Sequence, residues 1–541
     1  MTIQVFEGFW LPKVLRERVL ADAASETMWE TAWLKGGTLT TEDAPGAVAV
    51  RWPRFAPVQW NALLAGLQQA RTVGGREVLA RWQAVLNLAL AQLAEQSPTM
   101  LPLLSACSGY SPRMLAMALG QGELVSPSSL AAALEFQPTW SVATCWGQMP
   151  DLPGWVRFFP QRALDRATAR LTGGKPLCRP APPVDLALAY AAGNVPGTAL
   201  VIALLGGLAN YAAGDQTPSP AVLVRNSRHE PLFAPWVLSV VEAIDPALVT
   251  GLAVLIWDYG HGDKDEALQG ELMRRAGLMM AAAGDETIAA LDAIREKSAP
   301  TLRFHRHGHK ASFAVISEVK SQKSKAGDQK LDSGLPTSEI PRLAALDSAL
   351  WDQNGCLSAR VHFVVGDVDE YAQALVGEMR ALSAALPRGA TPRRFTHRVF
   401  DAYTALASSS HVRVYSTYDD DFAVIVDARK WDAETLRRAV NACQGRVIVV
   451  RPVKDVLDLP AVLRWLPAAN LQSVSVAMGD ERVLEFAEAA GACGVTAVRS
   501  LGRAAFPQLA YSWDGFLPLD VGHLRPPGHF TTVEFDATAA R

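Results

Sequence analysis

Hydrophobic and polar positions alternate with two different periods along the chain. Residues 1 to about 130 carry Leu, Ala and Trp at helical spacing, as in "NALLAGLQQARTVGGREVLARWQAVLNLALAQLAEQ", with no strand pattern of similar strength. From about residue 183, short apolar runs ("VDLALAYAAGN", "AVLVRNS", "GLAVLIWD") alternate with helical stretches such as "PLFAPWVLSVVEAI". This alternation is typical of parallel strands joined by crossover helices. The pattern predicts a helical N-terminal region followed by a doubly wound α/β domain.

A second series of buried strands follows residue 356, with helical stretches between "ARVHFVVG", "FAVIVDA", "RVIVVRP" and "VSVAMG". The two series are separated by "SEVKSQKSKAGDQKLDSGLPTSEI", which has hardly any apolar residues. That composition predicts a flexible surface loop over 317–340, the alternative being a basic contact surface for an acidic cofactor or carrier. The predicted organisation is a helical region over 1–130, a doubly wound α/β domain over 131–344, a second α/β domain that carries Cys356 over 345–510 and a C-terminal segment over 511–541.

Composition narrows the class of protein. The chain has 541 residues, of which 49% are hydrophobic and 19% charged, and its formal net charge is -3. The length predicts two to four domains, and the charge gives no reason to expect nucleic-acid binding. The longest apolar stretch, "GTALVIALLGGLANYAAG", is interrupted by glycine, so we expect a buried helix and no membrane span. The N-terminus "MTIQVFEGFW" lacks the basic segment and apolar run of a secretion signal.

Six cysteines are scattered through the chain without a CxxC or CxxH pair. They predict neither a zinc site nor a disulfide framework, and they fit a reducing cytoplasm. Cys356 differs from the others because it follows the turn formers of "WDQNG" and precedes a buried strand. On such an irregular segment a thiolate could attack a carbonyl, and the local backbone N–H could bind the resulting oxyanion. The alternative is a structural buried cysteine.

Two strand–turn–helix junctions offer a place for a ligand. In "YAAGNVPGTALV", Asn194 stands at the end of an apolar strand, where its amide could hold a carbonyl oxygen that gains negative charge. The alternative is that Asn194 only caps the helix. In "MMAAAGDETIAAL", Gly284 would let the backbone approach a pyrophosphate at a helix N-terminus. There, the acidic residues could instead only complement the helix dipole.

A third strand end, "AVLVRNSRHEP", carries a cation and small polar groups. Arg225, Asn226 and Ser227 follow a buried strand directly, a position suited to a ribose or to the phosphate of a dinucleotide. The alternative is a surface ion pair for Arg225 and a capping role for Ser227.

Taken in order, these stretches resemble the aldehyde dehydrogenase superfamily. The resemblance lies in "GNVPG", "VLVRNS", "AAAGDE", "HGHKASF" and "QNGCLSA", and the details "WDQNGCLSARVHFV" and a late "WDGFLPL" look most like the LuxC family of fatty acyl-CoA reductases. The similarity covers roughly residues 135 to 530. It implies an aldehyde-dehydrogenase-like α/β fold, with a doubly wound cofactor-binding domain and an α/β catalytic domain.

The resemblance also implies the chemistry and its residues. Cys356 would take an acyl group from a thioester, and NADPH would reduce the acyl-cysteine to an aldehyde. Asn194 and the Cys356 backbone N–H would stabilise the oxyanion. Cofactor binding would fall to the strand-end residues Arg225, Asn226, Ser227, Gly284, Gly308 and His309, and no metal is expected. The acyl donor would be acyl-CoA or an acyl carrier, with an acyl-protein synthetase as a partner and a homo-oligomer as the assembly.

One position departs from the wider superfamily. Aldehyde oxidisers carry a glutamate that activates the hydrolytic water, whereas Arg306 stands at the matching place in "RHGHK". The absence favours a reductase, although Glu318 could supply a replacement carboxylate. Two alternatives remain: a redox-independent cysteine acyltransferase, and a non-catalytic binding partner with the same fold.

Overall fold

The computed structural model forms two compact units. The first comprises residues 1–137, 178–308 and 517–525, and the second comprises residues 138–177, 309–516 and 526–541. The structure describes residues 4–21, 28–35, 38–40, 48–75, 77–119, 155–160, 182–213, 216–258, 263–319, 338–389, 394–406, 410–504, 514–515 and 530–535. None of the helices in these ranges is both long enough and apolar enough to cross a membrane.

The first unit contains two sheets and the helices that pack on them. In chain order its elements are β1 (Gln4–Glu7), α1 (Lys13–Ala21), β2 (Met28–Lys35), β3 (Thr38–Thr40), β4 (Val48–Arg54), α2 (Pro57–Gln69), α3 (Glu77–Ser108), α4 (Pro112–Ala118), β6 (Leu186–Tyr190), α5 (Thr198–Gly207), β7 (Ala221–Arg225), α6 (Phe233–Ile244), α7 (Pro246–Val249), β8 (Leu252–Leu255), α8 (Asp263–Arg275), β9 (Leu278–Ala282), α9 (Asp285–Ser298) and β10 (Arg303–His307).

The larger sheet of this unit is parallel and has the order β10-β9-β6-β7-β8. Every residue of β6 and β9 is buried, as continuous apolar runs in a parallel sheet should be. The chain starts at β6, adds β7 and β8 on one side and then β9 and β10 on the other. The carboxyl ends of β6 and β9 therefore flank a topological switch point, where open α/β sheets bind ligands. The doubly wound fold is confirmed.

The N-terminal region is not wholly helical. Besides α1 to α4 it contains a four-stranded sheet with the order β1-β4-β2-β3. The helical period missed these strands because they are short and mix aromatic with charged residues, as in "MWETAWLK" of β2. The apolar stretch that begins at Gly197 forms α5 and a 3₁₀ turn over 208–213, and most of α5 is buried, as expected.

The second unit is built on one large sheet. Its elements are β5 (Trp155–Pro160), β11 (Ala311–Val319), α10 (Glu339–Ala349), β12 (Ala359–Gly366), α11 (Val368–Ala385), α12 (Arg394–Leu406), β13 (Val412–Val414), β14 (Ala423–Asp427), α13 (Ala433–Ala442), β15 (Val447–Pro452), α14 (Leu459–Leu463), β16 (Leu471–Ala477), α15 (Asp480–Gly491), β17 (Ala497–Ser500) and β18 (Phe530–Phe535).

This sheet has nine strands in the order β13-β14-β15-β12-β11-β16-β17-β18-β5. Its central strands are parallel, and both faces are covered. Phe313 and Val315 of β11 belong to one core layer, whereas Ala314 and Ile316 belong to the other. Two-sided burial explains why the predicted strands of the second series read as unbroken apolar runs.

The division between the units differs from the predicted boundary at residue 344. Strand β11 lies between β12 and β16 in the nine-stranded sheet, so the second unit takes up the chain from residue 309. Residue 344 lies inside α10. Most of the predicted loop, residues 320–337, lies outside the described residues, as do the predicted boundaries at 130 and 510.

Candidate active site

Cys356 lies between a 3₁₀ turn over Leu350–Gln353 and the start of β12. It is partly exposed, whereas Cys107, Cys443 and Cys493 are buried. The remaining two cysteines, at 145 and 178, lie outside the described residues. Of the four thiols in the described part of the chain, Cys356 is therefore the one on a partly exposed residue, as a cysteine that meets a substrate must be.

The turn before the cysteine has a strained backbone. Trp351, Asp352 and Gln353 have φ angles of 55°, 48° and 62°, in the left-handed region that side chains other than glycine rarely adopt. Each such residue costs roughly 1–2 kcal/mol. Three in succession persist only if the surrounding protein holds them, and strain of this kind concentrates at functional sites.

Hydrogen bonds of the Gln353 side chain help to hold this turn in place. Its side chain is completely buried, and its Nε2 donates to the carbonyls of Ala359 at 3.1 Å and Val447 at 2.7 Å. Its Oε1 accepts from the Val447 N–H at 2.7 Å. The amide thus ties the cysteine turn to the starts of β12 and β15.

Asp352 also holds the turn in place, through a buried ion pair. Its Oδ1 lies 3.0 Å from the Arg446 guanidinium, and both side chains are completely buried. Asp352 Oδ2 also accepts from the Gly389 N–H at 3.1 Å, and Arg446 donates to the Leu386 carbonyl and to Ser383 Oγ. Burial raises the pKa of Asp352, and the Arg446 charge opposes this rise.

The backbone of Cys356 is held separately. Ser312 Oγ, on β11, donates to the Cys356 carbonyl at 2.7 Å. Ser312 Oγ in turn accepts from the hydroxyl of Ser473 at 2.9 Å and from its N–H at 3.3 Å. Two neighbouring strands therefore fix the position from which the thiol projects.

The thiol itself is protonated at neutral pH. Burial raises the pKa of Cys356 to about 11, and the negative charge of Asp514 adds to the rise. The Gln472 amide, the Arg360 cation and the backbone N–H of Cys356 act in the opposite direction. The residue is partly exposed as a whole, but the sulphur is surrounded closely enough for desolvation to dominate.

In the first unit, the β6–α5 junction contains Asn194. Gly197, and not Asn194, is the N-cap of α5, with a φ of 82° that favours glycine. Asn194 is exposed, and its backbone carbonyl accepts from the Tyr110 hydroxyl at 2.6 Å. The capping alternative for Asn194 is therefore wrong, and its side chain lies at the carboxyl edge of the sheet.

The end of β7 places the three predicted residues differently. The half-buried Arg225 donates from Nε to the Trp257 carbonyl at 2.9 Å. Asn226 is fully buried and uses its side chain within the turn, donating to the carbonyls of Glu230 and Pro231 and accepting from the Ser227 N–H. Ser227 Oγ accepts from the His229 N–H at 3.1 Å. Asn226 and Ser227 shape the loop, and Arg225 carries the charge.

The third junction brings Gly284 and Gly308 to the first unit's sheet edge. Gly284 is the exposed N-cap of α9, and a side chain there would meet nothing within 4 Å. A Cβ at Gly308 would instead lie 2.4 Å from Asp285 Oδ1, so a side chain there would displace the Asp285 carboxylate. His309 is an exposed residue of the second unit, and its backbone carbonyl accepts from Asn470 Nδ2.

Arg306 makes its ion pair and its ring contact within the first unit. Its guanidinium lies 2.7 Å from Asp292 of α9 and stacks over Phe304, with 4.7 Å between Cζ and the ring centroid. Glu318, the predicted replacement carboxylate, belongs to β11 of the second unit. In the described part of the chain no cluster of His, Cys, Asp and Glu has the makings of a metal site.

Two side chains that lie near the cysteine were not identified from the sequence. Gln472 of β16 and Asp514 both influence the thiol, yet they lie more than a hundred residues after it. The only signal in the sequence was the motif "WDGFLPL", which contains Asp514 but gave it no role.

The chain matches a known family of proteins. Residues 181–521 match a family model described as acyl-CoA reductase (LuxC). Among curated proteins, none matches the chain.

Solved structures of aldehyde dehydrogenases share the fold. Aldehyde dehydrogenase 21 from Physcomitrella patens, in complex with the reaction product succinate, is 12% identical, with a TM-score of 0.56 over 98% of both chains. The Delta-pyrroline-5-carboxylate dehydrogenase from Mycobacterium tuberculosis is 13% identical, with a TM-score of 0.53 over 94% of this chain and 90% of that one. An aldehyde dehydrogenase from the same organism, complexed with NAD+, is 15% identical, with a TM-score of 0.50 over 88% and 92%. The predicted aldehyde-dehydrogenase-like fold is confirmed.

Proposed function

Since this chain belongs to the acyl-CoA reductase (LuxC) family, we propose that it reduces an acyl thioester to the aldehyde through an acyl-cysteine on Cys356, with NADPH as the hydride donor. The family membership identifies an aldehyde-forming oxidoreductase. The covalent acyl-cysteine intermediate, and NADPH as the cofactor, are our proposals beyond the family membership.

The first half-reaction is a thiol exchange. The Cys356 sulphur forms a bond to the carbonyl carbon of the acyl thioester, and the bond from that carbon to the departing sulphur breaks. The proton of Cys356 ends on the departing thiol, which is coenzyme A or a carrier thiol. A thioester replaces a thioester, so little free energy is lost.

The second half-reaction releases the aldehyde. NADPH, held by the strand-end residues of the first unit, would supply the hydride that the thioester carbonyl carbon accepts. The Asn194 amide and the Cys356 backbone N–H are the proposed donors to the oxygen that becomes negative. The carbon–sulphur bond then breaks, the aldehyde leaves, and Cys356 regains a proton from solvent.

The first unit supports a dinucleotide as cofactor. In its parallel sheet, β7 and β8 lie on one side of β6, and β9 and β10 lie on the other. The turns after β6 and β9 are therefore at the topological switch point, where dinucleotides bind in this class of sheet. Gly284 leaves open space at the N-terminus of α9, and Arg225 stands at the end of β7. We assign the 2′-phosphate to Arg225, because a guanidinium is suited to a phosphate group.

One observation carries the proposal. A partly exposed cysteine, in a chain of this family, follows three left-handed residues that a buried ion pair and a buried amide hold in place. A purely structural cysteine would need no such device, since Cys443 and Cys493 are simply packed in the core.

Intact-mass analysis after incubation with acyl-CoA compounds of several lengths, with and without NADPH, tests the proposal. We expect a mass increase equal to the acyl group without NADPH, and its disappearance with aldehyde formation after NADPH is added. Acyl transfer to other thiols without NADPH oxidation would make the protein an acyltransferase. Neither acylation nor NADPH oxidation with any donor, acyl-carrier protein included, would leave the non-catalytic alternative.

Two proposals concern partners. The resemblance to the LuxC family favours an acyl-protein synthetase as a source of the acyl group and a homo-oligomer as the assembly. Repeating the acylation with that class of partner, and measuring the mass of the assembly in solution, tests them.

A further inference from the structure

Gln472 and Asp514 form a buried polar pair that the proposed reaction has not yet used. Gln472, the second residue of β16, is 2% exposed, and Asp514 is 5% exposed. Gln472 Nε2 donates to Asp514 Oδ1 over 2.6 Å. A short hydrogen bond between two buried side chains, 42 residues apart in the chain, indicates a specified contact.

The carboxylate determines which way the amide faces. An ionised carboxylate accepts hydrogen bonds and donates none, so the Gln472 atom that faces Asp514 is the nitrogen. That nitrogen has a second hydrogen to donate. The Gln472 oxygen is buried and has no hydrogen-bond partner in the part of the chain that the structure describes. Asp514 thus holds the amide in one of its two orientations.

The strand of Gln472 passes beside the cysteine. Ser473, the next residue of β16, binds Ser312, and Ser312 binds the Cys356 carbonyl. The backbone of β16 is therefore linked to that of Cys356 through two serine hydroxyls. This linkage places Gln472 on the strand that is joined to the Cys356 backbone, and the Gln472 side chain is within hydrogen-bond reach of the thiol.

We propose that Gln472 is a catalytic residue whose amide donates a hydrogen bond to the anionic sulphur of Cys356, and that Asp514 is the positioning residue that keeps the amide in the donating orientation. The inference rests on the proposed function, because it assigns roles within the acylation of Cys356. A hydrogen bond to an anion is about twice as strong as one to a neutral group, so the amide stabilises the thiolate more than the thiol.

The charges around the sulphur are consistent with these roles. Burial and the Asp514 carboxylate raise the pKa of Cys356, while the Gln472 amide and the Arg360 cation lower it. Arg360, on β12, is buried and donates to the Val440 carbonyl at 3.2 Å. The two members of the pair therefore act on the thiol in opposite directions. Asp514 adds to the effect of burial on the thiol pKa by its charge, and it holds the Gln472 amide that lowers this pKa.

The first experiment measures the rate of alkylation of Cys356 by iodoacetamide between pH 7 and 11, read on its peptide by mass spectrometry. Gln472→Met removes the donor but keeps a side chain of similar length. We expect alkylation about ten- to a hundredfold slower at a fixed pH below 10, with the profile displaced to higher pH. Thr496→Val is the matched control, because the Thr496 hydroxyl donates to the backbone carbonyl of Gln472 and not to its side chain. It should leave the profile unchanged.

The second experiment separates the charge of Asp514 from its positioning role. Asp514→Asn removes the charge, but its amide oxygen can still accept from Gln472, so alkylation at neutral pH should become faster than in wild type. Asp514→Ala removes both the charge and the acceptor. We expect alkylation in Asp514→Ala to be several-fold slower than in Asp514→Asn, since only the latter retains a side-chain acceptor for the Gln472 nitrogen.

The results for the Gln472 and Asp514 variants test different parts of the inference. An unchanged profile for Gln472→Met, or slower alkylation for Asp514→Asn than for wild type, overturns the inference. Equal rates in the two Asp514 variants overturn the positioning role alone. If Gln472→Met fails to fold, the Asp514 variants still provide the test. Wild-type protein that alkylates as expected but gains no acyl group would reject the proposed function while leaving the amide's effect on the thiol established.

Discussion

Asp352 and Arg446 lie 94 residues apart in the sequence, and their side chains form an ion pair at 3.0 Å without any exposed surface. Asp352 is the middle residue of the left-handed turn before Cys356, and Arg446 is itself left-handed, with a φ of 66°. The pair therefore joins two strained segments on neighbouring parts of the second unit. Arg446 also binds Ser383 and Leu386, so the cysteine turn is connected to the end of α11.

Removing one partner of this pair should destabilise the second unit strongly. Asp352→Asn leaves the buried Arg446 guanidinium with the longer ion pair to Asp421 at 3.5 Å. Breaking a buried ion pair typically costs about 3–5 kcal/mol, and we expect a loss at the lower end of this range because Asp421 remains. We expect this loss in the free energy of unfolding by urea, together with a change in the reactivity of Cys356. Arg437→Met, which removes a partner of Glu434 on the exposed face of α13, is the control and should change stability by less than about 1 kcal/mol. A similar loss in both variants would contradict the role of the buried pair.

Cys356→Ala should abolish both acylation and reduction. Of the four cysteines that the structure describes, Cys356 alone is partly exposed, so no described thiol could replace it. Intact-mass analysis after incubation with acyl-CoA measures the adduct directly. Cys107→Ala, at a buried position of the first unit, should still form it. An acyl adduct of normal occupancy on Cys356→Ala would remove Cys356 from the mechanism.

Arg225→Ala should weaken NADPH binding much more than NADH binding. Only NADPH carries the 2′-phosphate, and the loss of a charge-assisted hydrogen bond to it should cost about tenfold or more in affinity. Arg225→Lys keeps the charge and should lie between wild type and Arg225→Ala. Titration of both cofactors by fluorescence gives the ratio. Equal losses for the two cofactors would place Arg225 away from the 2′-phosphate.

The acyl-enzyme should be long-lived until NADPH is added. The motif resemblance matches Arg306 to the water-activating glutamate of the aldehyde oxidisers, and a guanidinium cannot accept a proton from water. Loading Cys356 with a radiolabelled acyl group, and following free acid against aldehyde over time, measures the two fates. Arg306→Glu should raise the release of acid, at some cost in stability because it faces Asp292, whereas Arg306→Gln should not. Rapid acid release from wild type would show that another base serves.

Glu230 should make folding stability fall as pH rises. Burial raises its pKa from 4.5 to about 8, and the Gly197 N–H opposes this only in part. Neither carboxylate oxygen makes a hydrogen bond of normal geometry in the described part of the chain. Between pH 4.5 and 8 the unfolded chain has released this proton and the folded protein has kept it, so the contribution is complete below pH 4.5 and is lost as pH rises towards 8.

The variant Glu230→Gln removes this titration. We expect its stability relative to wild type to increase between pH 5 and pH 9 by an amount on the order of a few kcal/mol. Thermal or urea unfolding at several pH values measures the difference. Glu286→Gln, at the exposed start of α9, should track wild type across the range. A constant difference between Glu230→Gln and wild type would show that Glu230 is ionised throughout.

The sequence by itself determined the features that depend on local order. Continuous apolar runs predicted β6, β7, β8, β12, β14, β15 and β16, because strands buried on both faces of a parallel sheet have little choice of residue. The turn formers around residue 355 predicted that Cys356 enters a strand from an irregular segment. The motif order predicted the fold and the family.

Tertiary structure alone decided the features that depend on pairing between distant segments. Strand order puts β11 between β12 and β16, which moves residues 309–319 to the cysteine's sheet and brings Ser312 to Cys356. The same order brings Gln472 and Asp514 to the thiol. Periodicity reports whether a residue is buried, but not which buried group it meets. The ionisation of Cys356 is therefore set by contacts that form only when the nine-stranded sheet is assembled.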